Sequence, residues 1–192
     1  IPNYDAIPHL VNITGLHLIM YSLNRAKAVL GDTNKLTFIL EIVSPKKTII
    51  RELSSDSFIE HNNMSRRAVE AYIRQVVETE SWNQVTDIHE AIALLQNEYA
   101  WPKDNKESEV ESANSPDDLI NMFVSAAISR HKQHVDKFHG VWGKEIGLSS
   151  RRGARRLRYA PQDMLLKSLV LCIVTKRMEF QDFLDKFYEK YG

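Results

Sequence analysis

Apolar residues recur at 16, 19, 20, 23 and 30 in the stretch GLHLIMYSLNRAKAVL, and that spacing predicts a helix over Gly15–Leu30. Thr14 is placed to cap it and Gly31 to end it. The pattern then changes. Leu36–Val43 (LTFILEIV) is rich in large and β-branched apolar residues and reads as a strand, with Ser44–Lys47 as a turn. Thr48–Leu53 fits either the returning strand of a hairpin or the opening of a helix. From Ser65, apolar positions at 68, 69, 72, 73, 76 and 77 form a helical stripe, with Arg66, Arg67, Glu70 and Arg74 on the opposite face. Asp87, with Glu90 three residues on, has the form of a capping box before Ile88, Ile92 and Leu95. Residues 102–118 (PKDNKESEVESANSPDD) are polar and acidic with one Val, too little apolar surface to offset ordering entropy. Beyond them, three further helices are expected. One runs over Leu119–His139 from a start at Asp117 or Asp118, with Val141–Ile146 extending it past Gly140. The second is Pro161–Thr175 with Pro at its first position, and the third is Glu179–Tyr191 with an aromatic stripe.

These elements predict a mainly α protein. An N-terminal helical domain (1–101) carries a short strand or hairpin and a helix-turn-helix-like unit. An acidic linker (102–118) leads to a C-terminal helical bundle (119–192). The stretch FIEHNNMSRRAVEAYIRQVV, residues 58–77, resembles the helix-turn-helix of DNA-binding proteins. Asn63 takes the turn position, where Asn substitutes for Gly at positive φ. Ser65 opens the second helix, and Val69 and Tyr72 take its inward positions. The preceding helix and strand have the order of a winged-helix domain, although no wing hairpin follows Glu80. The resemblance implies that Arg66 and Arg67 reach bases or phosphates, with Arg74 further along the helix. An αα-corner inside a helical domain makes the same sequence, and Glu70 would repel phosphate.

Composition changes the picture little. The chain has 192 residues and 25 basic against 25 acidic side chains, so affinity for nucleic acid must come from local patches. The strongest patch is SSRRGARRLRY, residues 149–159. Arg151, Arg152, Arg155, Arg156 and Arg158 crowd a short loop near Lys144, and each guanidinium can fork onto phosphate. Tyr159 and Trp142 flank the tract and are candidates to stack on an unpaired base. Pairing with the acidic linker or with an acidic partner subunit is the competing use of the same arginines.

His131, His134 and His139 lie on one predicted helix; His131 and His134 share a face and His139 is off it. No further ligand completes a metal site, and they read as exposed helix histidines or as polar contacts to the linker. The other histidines are scattered. A metal- or His-dependent nuclease would need carboxylates that the pattern does not assemble. No glycine-rich phosphate loop or nucleophile elbow appears, and no catalytic residue, metal or cofactor is assigned. The single Cys172 excludes an internal disulfide and a cysteine-based zinc site, and it fits a reducing cytoplasm. No apolar run approaches the ~18 residues of a membrane span; the longest, around Leu165–Val174, is broken by Lys167 and Ser168. Ile1 in place of Met, and a stop straight after a patterned helix, read as a trimmed excerpt of a larger protein. The expectation is therefore a non-catalytic nucleic-acid binder, DNA ahead of RNA, acting within a larger bacterial complex. The alternative is an interaction module docking an acidic partner through the arginine loop and the C-terminal aromatic helix.

Overall fold

The computed structural model describes residues 3–42, 49–102, 110–151 and 156–192, apart from the side chains at positions 3–5, 134 and 136. The protein is mainly helical. Helices α1 (Asn3–Val29), α2 (Ile49–Arg74), α3 (Glu80–Asn83), α4 (Ile88–Tyr99), α5 (Pro116–His134) and α6 (Asp136–Glu145) precede a two-stranded antiparallel hairpin of β1 (Ser149–Ser150) and β2 (Arg158–Tyr159). Helices α7 (Asp163–Ile173) and α8 (Phe180–Tyr191) close the chain.

Two compact units result, and their boundaries are not those of the acidic segment. One unit combines Ile1–Ser65 with Val135–Gly192; the other is Arg66–His134. The described parts of the acidic segment, Pro102 and residues 110–118, lie within the span of the second unit. Residues 103–109 lie outside the described set, but Val110, the lone apolar residue of that segment, is buried with Trp82, Leu95, Leu119 and Phe123. Over 110–118, one buried Val and the cap of α5 hold residues whose composition reads as unfolded. Ser115 Oγ accepts from the Asp118 N–H (3.1 Å), and Asp118 Oδ2 accepts from the Asn114 N–H (3.2 Å).

The helix-turn-helix reading of residues 58–77 is overturned. Helix α2 runs unbroken through Asn62, Asn63 and Ser65, and among the described residues the only non-glycine with positive φ is Ala100. The reason lies in the stripe itself. Ser54, Phe58, His61, Met64 and Ala68 are buried at spacings of four, three, three and four, so the helical phase never breaks. No Gly or Pro interrupts it, and two asparagines inside a helix cost only a fraction of a kcal/mol each.

The predicted strand at 36–43 is also corrected. Residues 36–41 have no regular ladder; Glu41 N–H donates to the Tyr159 carbonyl (2.8 Å) and Phe38 N–H to that of Gly192 (3.4 Å). The hairpin forms at 149–159 instead. Of Thr48–Leu53, the part from Ile49 opens α2, and the turn at 44–47 lies outside the described residues.

Several caps were legible. Asp87 accepts from the His89 and Glu90 N–H groups (2.7 and 3.0 Å), and Glu90 reaches back to the Thr86 N–H (2.8 Å). Those bonds hold the Asp87 carboxyl below its ordinary range, with the Glu90 N–H the largest cause. Gly31, at φ 71°, ends α1 as expected. Thr14 does not cap that helix, which begins eleven residues earlier, at Asn3. The 119–139 helix breaks at Val135, and α7 starts at Asp163, two residues after Pro161.

In the first unit, α1 packs against α6 and α7, with Leu16, Ile19, Leu23 and Ala26 buried. The closest approach is at Gly15, where an added Cβ would lie 2.6 Å from Ile146 Cγ2. Gly15→Ala is expected to lower stability by about 1–3 kcal/mol, the usual range for overpacking, against a gain in helix propensity below ~1 kcal/mol. A urea titration measures it, and a stabilised variant would mean that α1 and α6 separate freely.

Candidate nucleic-acid interface

The arginine tract is the hairpin. Its root is set by the chain leaving α6. Gly147 adopts φ 74°, and a Cβ there would stand 3.1 Å from Gln162 Cβ, so only glycine fits without strain. Gly147 and Leu148 carbonyls accept from Gln162 N–H (2.8 Å) and Ala160 N–H (3.1 Å), and the register pairs Ser149 with Tyr159 and Ser150 with Arg158.

That register divides the predicted site residues. Arg158 is buried, only 1% exposed, and ion-paired with the equally buried Glu41, which also faces Arg51 Nη2 at 3.5 Å. Arg158 is therefore no phosphate ligand. Its guanidinium neutralises an acid that would otherwise be stranded in the core. Tyr159 is fully buried and stacks on no external base. Its hydroxyl lies between His61 Nδ1 (2.8 Å) and His139 Nε2 (2.7 Å), walled by Phe38 and Phe58. With one hydroxyl proton, Tyr159 donates to one imidazole and accepts an N–H from the other. Burial pushes both histidines down to about 4 and raises the phenol well above its ordinary value. All three are neutral at pH 7.

Arg151 and Arg156 are exposed at the two ends of the loop, and Lys144 is exposed in the last turn of α6. Arg152 and Arg155 lie outside the described residues. Trp142 is part-exposed and tilts against Phe138 at 5.2 Å between ring centres. The three arginines of α2 belong to the other compact unit. There Arg66 is half-buried, Arg67 is exposed, and Arg74 is bound to Glu70 Oε1 (3.2 Å) and Asn121 Oδ1 (3.4 Å). Arg74 thus sits in an i,i+4 ion pair, the Glu70 that would repel phosphate being its partner.

Of the two readings of the helix histidines, exposure is corrected. His131 and His139 are both buried, and the side chain of His134 is not described. Among the described residues, no group of three or more His, Cys, Asp or Glu is placed to hold a metal ion.

Sequence reasoning passed over Glu41, His61 and His139. For Glu41 a signal existed, since a carboxylate inside LTFILEIV must find a cation if the run is buried. For the histidines no signal existed, because 78 residues separate two positions that share one hydroxyl. Comparison of the chain with protein-family models, curated proteins and solved structures finds no match.

Proposed function

We propose that the chain is a non-catalytic binder of nucleic acid, DNA ahead of RNA, and that the arginine hairpin supplies the contact. The observation that carries this reading is the division of labour in the hairpin. Arg158 at its base is consumed by Glu41, whereas Arg151 and Arg156 at its rim are exposed and make no ion pair among the described residues. Arg152, Arg155 and Lys144 add charge of the same sign close by in the chain. Crowded guanidinium groups repel one another, and an anionic polymer relieves that repulsion while releasing its condensed counterions. Phosphate contacts of this kind give affinity without sequence readout.

Anisotropy of a fluorescent duplex, read at ~50 and ~200 mM salt, tests the proposal. Wild type should bind and weaken steeply with salt. Replacing Arg151, Arg152, Arg155 and Arg156 by Ala should abolish most of the affinity and flatten the log–log salt slope by ~0.9 for each phosphate left without its arginine. Arg66→Ala with Arg67→Ala should change little, because no recognition helix starts at Ser65. No binding at low salt would remove the proposal. It would favour the second reading, an interaction module for an acidic partner, which the exposed Phe180, Leu184 and Tyr188 of α8 support.

A further inference from the structure

Helix α1 carries two apolar faces. The first, with Leu16, Ile19, Leu23 and Ala26, is buried in its own unit. The second, with Ile7, Leu10, Val11, Leu18 and Tyr21, is left 44–67% exposed. At 3.6 residues per turn these positions and Thr14 fall within an arc of about 100°, the width of a packing stripe. An apolar helix of this length with only 28% of its most apolar window buried is long and apolar enough to cross a membrane by length and composition. A search for unbroken apolar runs misses it, because Asn12, Thr14 and His17 interrupt them. Such a surface needs a cover.

We infer that the cover is a second copy of this chain, its α1 packed antiparallel on the first about a two-fold axis at Thr14. The order of the side chains carries the inference. Apart from Val11, whose mirror position is His17, the stripe reads the same from either end. Ile7 and Tyr21 stand seven residues either side of Thr14, and Leu10 and Leu18 stand four either side. A two-fold interface requires that self-complementarity, since residue i meets j where j meets i. Here Ile7 meets Tyr21, Leu10 meets Leu18, and Thr14, a small residue, meets itself where the helices come closest. The spacing 7, 10, 14, 18, 21 is also close to the seam of a coiled pair. From Ala6 to Asn24 there is no Asp, Glu, Lys or Arg, so two copies bring no like charges together. The exposed side chains present on the order of 600 Å² per copy, and covering them on both copies clears the ~1,000 Å² expected of a specific interface. This inference is independent of nucleic-acid binding.

Sedimentation of the 192-residue chain without nucleic acid should give twice the chain mass, and Leu10→Glu with Leu18→Glu should return it to one. That variant sets like charges opposite each other, whereas Leu10→Glu with Leu18→Lys sets opposite charges there and should recover the dimer. A Thr14→Cys, Cys172→Ser chain should form a disulfide-linked dimer on mild oxidation, and a Leu10→Cys, Cys172→Ser chain should not. The cysteine pair carries the test should the charged variants fail to fold. A monomeric wild type overturns the inference, as does a dimer that survives the double glutamate substitution. So does a monomer that co-sediments with neutral phosphatidylcholine vesicles, because a bilayer would then be the cover.

Discussion

Arg158→Ala is expected to destabilise the protein by about 3–5 kcal/mol, the cost of leaving a buried charge without its partner. Both side chains of the Arg158–Glu41 pair are nearly sealed from water, at 1% and 2% exposure. Truncating the arginine leaves the Glu41 carboxylate with Arg51 at 3.5 Å, a longer contact from a guanidinium that is one-third exposed. That contact offsets part of the loss and places the expected value toward the lower end of the range. The pair itself contributes far less than its removal costs, since each ion lost several kcal/mol of hydration on burial. Replacing both partners, as Arg158→Met with Glu41→Leu, should therefore come within about 1–2 kcal/mol of wild type. Urea titrations of the two single variants and the double variant form the cycle that measures this. A double variant as unstable as the singles would show that the arginine acts through packing rather than charge. The same cycle reports on the hairpin, because Arg158 stands in β2, beside the loop that presents Arg151 and Arg156. A folded double variant should keep most of its duplex affinity, since its rim arginines remain.

The second large effect is on acid stability. His61 and His139 are held at about 4 by burial, against an ordinary value near 6.5. In the unfolded chain each takes up a proton as pH falls below ~6.5, while in the folded chain each resists until about 4. The unfolded state thus binds more protons across that window, and stability falls with falling pH within it and is level above it. At 1.36 kcal/mol per unit, each histidine takes away roughly 3 kcal/mol by the lower end of the window. The carboxyl groups of Asp32, Asp87 and Glu90 are held below their ordinary values by hydrogen bonds. They lose their contribution as pH falls below their ordinary values, 4.5 for Glu90 and 3.8 for the two aspartates, at and beneath the lower end of the histidine window. Urea midpoints at pH 7.5, 6 and 5 measure the slope. His61→Phe with His139→Phe costs the Tyr159 hydroxyl its partners, about 1–3 kcal/mol at neutral pH, but should flatten the slope between 6.5 and 4. An unchanged slope would assign the acid sensitivity to other groups.

Caps, amphipathic stripes and chain punctuation were readable because they are local. Asp87 with Glu90, Gly31 at the end of α1, and the stripe of α8 each follow from residues within a few positions of one another. The continuity of α2 was also present in the sequence, in the buried phase of Phe58, His61, Met64 and Ala68. A motif match over Asn63 and Ser65 outweighed it, because Asn and Ser favour turns and caps without requiring them. Phe183 and Phe187 are part-buried and lead in tilted contacts to the buried Tyr191, while Phe180, Leu184 and Tyr188 stay exposed, so of the α8 aromatic stripe only Tyr191 is core.

The sequence by itself determined that this protein is mainly helical, where α4, α5 and α8 start and where α1 stops, and that one short tract concentrates arginine. Helical periodicity, caps and local charge act over a turn or two and leave their signal in neighbouring residues. Only the tertiary structure decided which arginines remain open to a ligand and which is spent on Glu41. It alone brought His61 and His139 onto the hydroxyl of Tyr159 and drew the acidic segment's one Val into the core of the second unit. Those outcomes depend on pairing across scores of residues, where burial sets the cost of an unpaired charge or polar group and no local pattern announces the partner.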